Sequence, residues 1–261
     1  MAEQQAPLKA YRGNCHCAAF VYEITLPEIK QAAECNCSIC YKKAAIWVFP
    51  KPSDVKFVKG DPSALTDYNF NKRQYTHKFC PTCGVSLMVV GHRTPPKAGE
   101  EKLPDNGFNL RTFQHGQVDA WKLETKSFDG YALDPAYEVP KFTGSHPIAE
   151  VEGGQYGAMW TYQPNAQFVI EGRENTKGYS FGKKIAEKLF CKICGVLLFS
   201  EPAQLTDEQV AELDENARKW YDGAKVAKAL NLRTINGLNV KDLSSTRFDG
   251  YNFIKPGYVE P

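Results

Sequence analysis

Apolar and polar residues change places over short runs along this chain. Phe20, Tyr22 and Ile24 alternate with Val21, Glu23 and Thr25, and Val85, Leu87 and Val89 repeat the same period of two. That period puts one set of side chains on each face of a strand. The Asn-Leu-Arg-Thr segments at 109–112 and 231–234 alternate as well and read as strands. Short runs of this kind, broken by Gly and Pro turns, predict small antiparallel units and a mainly β fold. One stretch has a helical period instead. Thr206-Asp207-Glu208-Gln209 forms a capping-box pattern, and Val210, Leu213, Ala217 and Trp220 follow on one face, which predicts a helix from about Thr206 to Tyr221. From Arg93 to Gly107 the chain is rich in Pro, Lys and Glu and predicts a long exposed loop.

The same patterns occur twice. Tyr68, Phe70, Lys72, Phe79, Cys80, Cys83, Gly84, Val85 and Leu87 recur 111 residues later as Tyr179, Phe181, Lys183, Phe190, Cys191, Cys194, Gly195, Val196 and Leu198. Asn109-Leu110-Arg111-Thr112 recurs as Asn231-Leu232-Arg233-Thr234, and Phe128-Asp129-Gly130-Tyr131 as Phe248-Asp249-Gly250-Tyr251, at separations of 122 and 120. A repeat on this scale predicts a tandem duplication joined near Pro140-Lys141, with domains at 1–140 and 141–261 and an insertion of about 11 residues in the second copy. The two copies would form an intramolecular pseudo-dimer, and the pattern also allows a homo-oligomer. Trp47 and Trp160 are expected in the cores of their respective copies.

Composition narrows the function classes. With 43% hydrophobic and 24% charged residues, and ordinary Gly and Pro content, the chain is globular and not disordered, collagen-like or coiled-coil. Lys and Arg number 32 against 30 Asp and Glu, so charge gives no support for nucleic-acid or membrane-surface binding. Met1 to Arg12 lacks the apolar core of a signal peptide, and no run approaches the ~18 apolar residues of a membrane span. A cytoplasmic protein without membrane partners is expected.

The distinctive feature is nine cysteines, at 15, 17, 35, 37, 40, 80, 83, 191 and 194. Members of each cluster lie two or three residues apart, too close for comfortable disulfides and well suited to holding one ion in a reducing compartment. Cys80-Pro81-Thr82-Cys83-Gly84 reads as a zinc knuckle, with Gly84 supplying the positive φ that the turn favours. Seven cysteines in the first half divide as four plus three, matching a closed structural site and a catalytic site with an open position. The second half keeps only Cys191 and Cys194, read as a relict pair unless His146 or a cysteine of the other copy completes it. Metal chemistry is therefore assigned to the first half.

Gly13-Asn14-Cys15-His16-Cys17, then Cys35-Asn36-Cys37-Ser38-Ile39-Cys40-Tyr41-Lys42-Lys43, then Phe79-Cys80-Pro81-Thr82-Cys83-Gly84 resembles the glutathione-dependent formaldehyde-activating enzyme family, which also includes centromere protein V. The resemblance covers most of residues 12–140, and it is fainter in the second half. It implies a small β-tent fold in each copy, the second degenerate. It further implies a structural zinc on Cys15, Cys17, Cys80 and Cys83, and a catalytic zinc on Cys35, Cys37 and Cys40. This chain departs from the family in having Ala18 where Gly is usual and Tyr41 where a basic residue is common.

Three thiolates leave Zn²⁺ a weak Lewis acid, better suited to a thiol ligand than to acidifying water. The expected activity is a zinc-dependent carbon–sulfur lyase. Its substrate would be a small molecule, a thiol adduct of a carbonyl compound, with glutathione as substrate or cosubstrate or with a related secondary metabolite in its place. Tyr41, Lys43, His77, Asn109 and Arg111 are candidate substrate contacts, with Lys42 beside them. The plainer readings are solvated lysines, a hydrogen-bonding His16 and His77, and an Arg111–Asp129 ion pair repeated as Arg233–Asp249. The competing function is a non-enzymatic zinc module binding a thiol, a protein or nucleic acid.

Overall fold

The computed structural model describes residues 6–92, 104–132, 138, 152–153, 157–248 and 257–261. The fold is mainly β, built on three sheets. The chain divides into two compact units, one of residues 1–41, 45–137 and 260–261 and the other of residues 42–44 and 138–259. The expected join at Pro140-Lys141 lies outside the described residues.

In the first unit, strands β1 (Leu8–Asn14) and β2 (Val21–Pro27) form an antiparallel hairpin. After β3 (Gln31–Cys35), helix α1 (Ser38–Lys43) and β4 (Ile46–Val48), strand β5 (Val55–Lys59) joins β2 to complete a three-stranded sheet. The remaining strands are β6 (Thr66–Asn69), β7 (Tyr75–Phe79), β8 (Ser86–Gly91), β9 (Asn106–Asn109) and β10 (Glu124–Phe128). With β3 and β4 they form a seven-stranded sheet in the order β6-β7-β8-β9-β4-β3-β10, parallel at the β3–β10 pair. Tyr22, Trp47, Phe79, Leu87, Phe108 and Leu110 are buried in this unit. The Tyr22 hydroxyl donates to Thr112 Oγ1, and Gly13 bridges to Phe113, so the hairpin is tied to the turn that follows β9.

The second unit contains β11 (Glu152–Gly153), β12 (Met159–Pro164), β13 (Thr176–Tyr179), β14 (Ala186–Cys191) and β15 (Leu197–Pro202). Helices α2 (Asp207–Ala211) and α3 (Glu215–Val226) follow, then β16 (Ala227–Asn231) and β17 (Thr246–Arg247). Its seven-stranded sheet runs β13-β14-β15-β16-β12-β11-β17, parallel at β11–β17. Position for position this is the strand order of the first unit's larger sheet. A register shift even falls at the same place, between Lys78 and Phe79 on β7 and between Leu189 and Phe190 on β14. Trp160, Phe190, Phe199, Ala217, Tyr221 and Leu232 are buried here.

Three local expectations are corrected. The Asn-Leu-Arg-Thr segments are not strands: each strand ends at its Asn, and Leu110–Thr112 and Leu232–Thr234 are 3-10 turns. The cause is the Asn side chain, whose carbonyl accepts from the N–H two residues on, at 3.2 Å in both segments. The single helix from Thr206 to Tyr221 is two helices. The Thr206 capping box starts α2 as expected, but Asp214 caps a new start by accepting from Ala217 N at 2.9 Å. The buried face of α3 is Ala217 and Tyr221, whereas Trp220 is exposed. Finally, the loop after Arg93 ends earlier than expected, since Asn106 and Gly107 already belong to β9; residues 93–103 lie outside the described residues.

Candidate metal centres

All nine cysteines are free thiols. Cys15 and Cys17 sit in the turn that leaves β1, closed by Cys15 N donating to Phe20 O at 3.1 Å and Ala18 N to Cys15 O at 2.9 Å. Ala18 takes a left-handed φ of 56°, a conformation suited to glycine. Cys80 and Cys83 occupy the turn between β7 and β8. There Cys80 N donates to Val85 O and Gly84 N to Cys80 O, each at 2.9 Å, and Gly84 has a φ of 75°. The two turns bring their four sulfurs within 4.8 Å of one another. Cys15 Sγ lies 3.6 Å from Cys17 Sγ, which lies 3.5 Å from Cys80 Sγ. A tetrahedral ion with metal–sulfur bonds of about 2.3 Å needs sulfurs about 3.8 Å apart. The quartet fits such an ion, and three of its members are buried.

Protons shared within the quartet split its thiols. Hydrogen bonds from Cys15, Cys17 and Cys83 hold Cys80 far below the usual thiol range, and the Cys15 contact brings Cys17 down to about 7. Cys15 and Cys83 are pushed up by the same contacts. His16, between the two N-terminal cysteines, is lowered to about 4 by burial and is neutral at pH 7.

The second cluster is built on one short segment. Cys35 ends β3, Cys37 precedes α1, and Cys40 lies within α1, where Tyr41 N donates to Cys37 O at 2.9 Å. Their sulfurs also lie within 4.8 Å of one another, with Cys40 buried and the other two partly exposed. Among the described residues no fourth His, Cys, Asp or Glu joins them. Hydrogen bonds from Cys37 and then Cys40 hold Cys35 down to about 3, with smaller contributions from the backbone N–H groups of Cys37 and Gly130. Cys37 is raised to about 11 by the proton it shares with Cys35, and Cys40 is raised well above the usual range.

The segment after β10 holds this cluster from outside. Asn36 Nδ2 donates to Asp129 Oδ1 at 2.8 Å, Tyr131 N donates back to Asn36 Oδ1 at 2.8 Å, and Asn36 N donates to Phe128 O at 3.2 Å. Asn36 and Gly130 were missed in the sequence. The available signals were an Asn between two ligand-type cysteines and the recurrence of Phe-Asp-Gly.

The other candidates are placed as follows. Tyr41 and Lys43 follow Cys40 on α1, with Lys43 buried. His77 is buried on β7, its ring 5.7 Å from Phe70 and 6.0 Å from Trp47. Asn109 is buried; its amide donates to Ser86 O at 3.0 Å, and its carbonyl accepts from the N–H groups of Ile46 and Arg111. Arg111 stacks its guanidinium 5.1 Å from the Trp121 ring while Asp129 binds Asn36, and Arg233 donates to Gly157 O at 2.9 Å. The expected Arg111–Asp129 pairing therefore gives way to these contacts; Asp249 lies outside the described residues. Cys191 and Cys194 are half-buried in a turn with the bonds of the first knuckle, and Gly195 has a φ of 74°. Among the described residues no third ligand joins them, and His146 lies outside those residues.

Residues 10–100 match the family model described as glutathione-dependent formaldehyde-activating enzyme. A crystal structure of a Rhodobacter sphaeroides protein, a structural-genomics target, aligns with 44% of this chain and 99% of its own, at 28% identity and a TM-score of 0.36. The matched segment holds both sulfur clusters and every cysteine in them. Over residues 10–100, this chain is similar to the glutathione-dependent formaldehyde-activating enzyme family.

Proposed function

We propose that this chain makes or breaks a carbon–sulfur bond between a small thiol, such as glutathione, and a carbonyl-type carbon, at Cys35, Cys37 and Cys40. The observation that carries this reading is a cluster of three converging sulfurs without a fourth protein ligand among the described residues. Cys15, Cys17, Cys80 and Cys83 would hold a closed structural zinc, and the three-sulfur cluster a second zinc. Bound there, zinc would supply an open coordination position that holds a substrate sulfur as its thiolate.

The remaining work falls to the chain. The thiol sulfur bonds to the carbonyl carbon while the carbonyl oxygen takes up the thiol's proton; the lyase direction reverses both events. Tyr41, next to Cys40, shapes the approach to the cluster, and its departure from the family pattern fits a carbonyl partner larger than formaldehyde, of the kind found in secondary metabolism. Lys42 and Lys43 end α1, but Lys42 Nζ donates to Asn236 Oδ1 at 3.3 Å and Lys43 is buried, so neither is assigned to the substrate. Arg111 remains a candidate anion contact, whereas the buried, fully engaged amide of Asn109 suits a structural role. Nine free thiols suit a reducing compartment such as the cytoplasm.

The matching strand order of the two seven-stranded sheets supports a tandem duplication in which the second copy lost its metal sites. Neither the near-neutral charge nor any described feature favours nucleic acid as a partner, and no described helix is long and apolar enough to cross a membrane.

Metal analysis with a Cys37→Ser variant tests the reading. Two zincs per wild-type chain are expected. The variant should lose one without unfolding and lose turnover of glutathione with formaldehyde or a larger aldehyde, followed by NMR. A single tightly held ion, with unfolding on loss of any cysteine of either cluster, would overturn it.

A further inference from the structure

We infer that Asn36, Asp129 and Gly130 form a clamp that positions the three-sulfur cluster for metal binding, an assignment that rests on reading this cluster as a metal site. The cysteines at 35 and 37 lie on a strand end and a loop, and a six-residue helix alone fixes the third. Within that segment Cys37 N donates to Cys35 Sγ at 3.4 Å, which leaves the Cys37 side chain to be aimed by other contacts. A second constraint comes from 93 residues downstream, where β10 runs parallel to β3 and sets Phe128 beside Cys35.

Asn36 is suited to the task because it must donate and accept at once. Its Nδ2 gives a hydrogen bond to Asp129 Oδ1 and its Oδ1 receives one from Tyr131 N, both at 2.8 Å. Asp at position 36 would lose the donor, and Ala would lose both. Asp129 Oδ1 also accepts from Ala132 N at 3.3 Å, so the carboxylate closes its own turn while it holds Asn36. The part it plays is that of an acceptor at one oxygen, which an amide can also play. Gly130 is required by space: a Cβ there would stand 2.5 Å from Cys35 Sγ and 3.0 Å from Cys37 Cβ. Its backbone N–H donates to Phe128 O at 3.0 Å, which fixes the turn that brings it against the sulfurs. Asn36 and Asp129 are solvent-exposed, so the clamp contributes little to the core. Its effect is to pre-organise the sulfurs, and partners of this kind typically change metal affinity 10- to 100-fold.

The experiment is zinc competition against a chromophoric chelator on the full chain, with the cobalt-substituted protein giving the thiolate charge-transfer spectrum. Wild type should bind two ions. Asn36→Ala and Asp129→Ala should each weaken one ion by about 10- to 100-fold, leave the other unchanged, and reduce the cobalt band of the three-sulfur site. Asp129→Asn should keep affinity and spectrum within about threefold of wild type. Gly130→Ala should give the largest loss, with circular dichroism unchanged. The clamp is overturned if wild type binds two ions and the alanine variants bind both as tightly. Loss in Asp129→Asn equal to that in Asp129→Ala would also overturn it, in favour of a role for the charge. A wild-type chain that binds one ion defeats the underlying reading of the cluster instead, so the two failures are distinct.

Discussion

The turns at Cys80–Cys83 and Cys191–Cys194 have the same backbone hydrogen bonds and glycines within one degree of each other in φ, at 75° and 74°. The strands around them follow the same order. One turn faces two further cysteines on a hairpin, while the other has no third ligand among the described residues. A knuckle therefore stands as a turn on its hydrogen bonds and its glycine, and the further sulfurs that a metal site needs come from outside it. In the first unit the additions are the β1–β2 hairpin with Cys15 and Cys17, the Cys35–Cys40 segment, and the loop at 128–132 that braces it. The second unit has the same seven-stranded sheet and adds α2 and α3 instead.

The largest expected difference is between serine variants of the two knuckles. Cys80→Ser removes a buried sulfur from the proposed structural zinc site, and structural zinc contributes on the order of 10 kcal/mol to small zinc domains. Thermal unfolding should show the first unit melting more than 10 °C lower, or not folding at all. Cys191→Ser should cost about 1 kcal/mol or less, as for a half-buried position without a special partner. Equal losses from the two variants would show that the second knuckle also holds a metal.

Where the units agree, their energetics should agree too. Leu110 and Leu232 are buried at equivalent places in the two 3-10 turns, at 2% and 0% exposure. Leu110→Ala and Leu232→Ala should each destabilise their own unit by about 2–5 kcal/mol, the range for a buried leucine. Denaturant unfolding measures both. A cost confined to Leu110 would mean that the second sheet contributes no cooperative core, and the parallel between the units would end at topology.

Much of this was legible along the chain because it is written in short-range patterns. The period of two at Phe20 to Thr25 gives β2, cysteines two or three apart give the clusters, and the 111-residue recurrence tracks strands β6 to β8 onto β13 to β15. What escaped notice depends on a side chain competing with the backbone or on distant contacts. Alternation at Asn109–Thr112 looks like a strand, yet Asn109 diverts the chain by binding the Arg111 N–H. Asp214 likewise restarts a helix in the middle of an apolar periodicity that looks continuous. The Asn36–Asp129 bond joins residues 93 apart, and no local pattern reports it.

Proton release separates the two knuckles in another way. Cys15 and Cys83 are raised above the usual thiol range, as are Cys37 and Cys40 in the other cluster, so at pH 7 each site must expel about two protons to bind a metal as thiolates. Affinity then falls as pH drops, by about 100-fold per unit for two protons at the three-sulfur site, and more steeply below pH 7 at the four-sulfur site, where Cys17 at about 7 adds a third proton. Zinc titrations between pH 6 and 8 should give these slopes, and a Cys191→Ser, Cys194→Ser double variant should reproduce them. A shallower slope in the double variant would place metal-linked protons on the second knuckle.

The smallest effect concerns the hairpin that only the first unit shows among the described residues. Ala18 holds a φ of 56° between Cys17 and the start of β2, where a Cβ is unfavourable by roughly 1 kcal/mol. The Ala18 N–H already closes the turn on Cys15 O, so a glycine there keeps the hydrogen bond and loses the steric cost. Glycine also gains freedom in the unfolded chain, which offsets part of the benefit. Ala18→Gly should therefore raise the stability of the zinc-loaded first unit by a few tenths to about 1 kcal/mol, and leave that of the second unit unchanged. Differential scanning calorimetry resolves a shift of that size. A destabilised first unit would show that the alanine methyl packs favourably enough to outweigh its backbone strain, and that this turn is held by more than its hydrogen bonds and the proposed zinc.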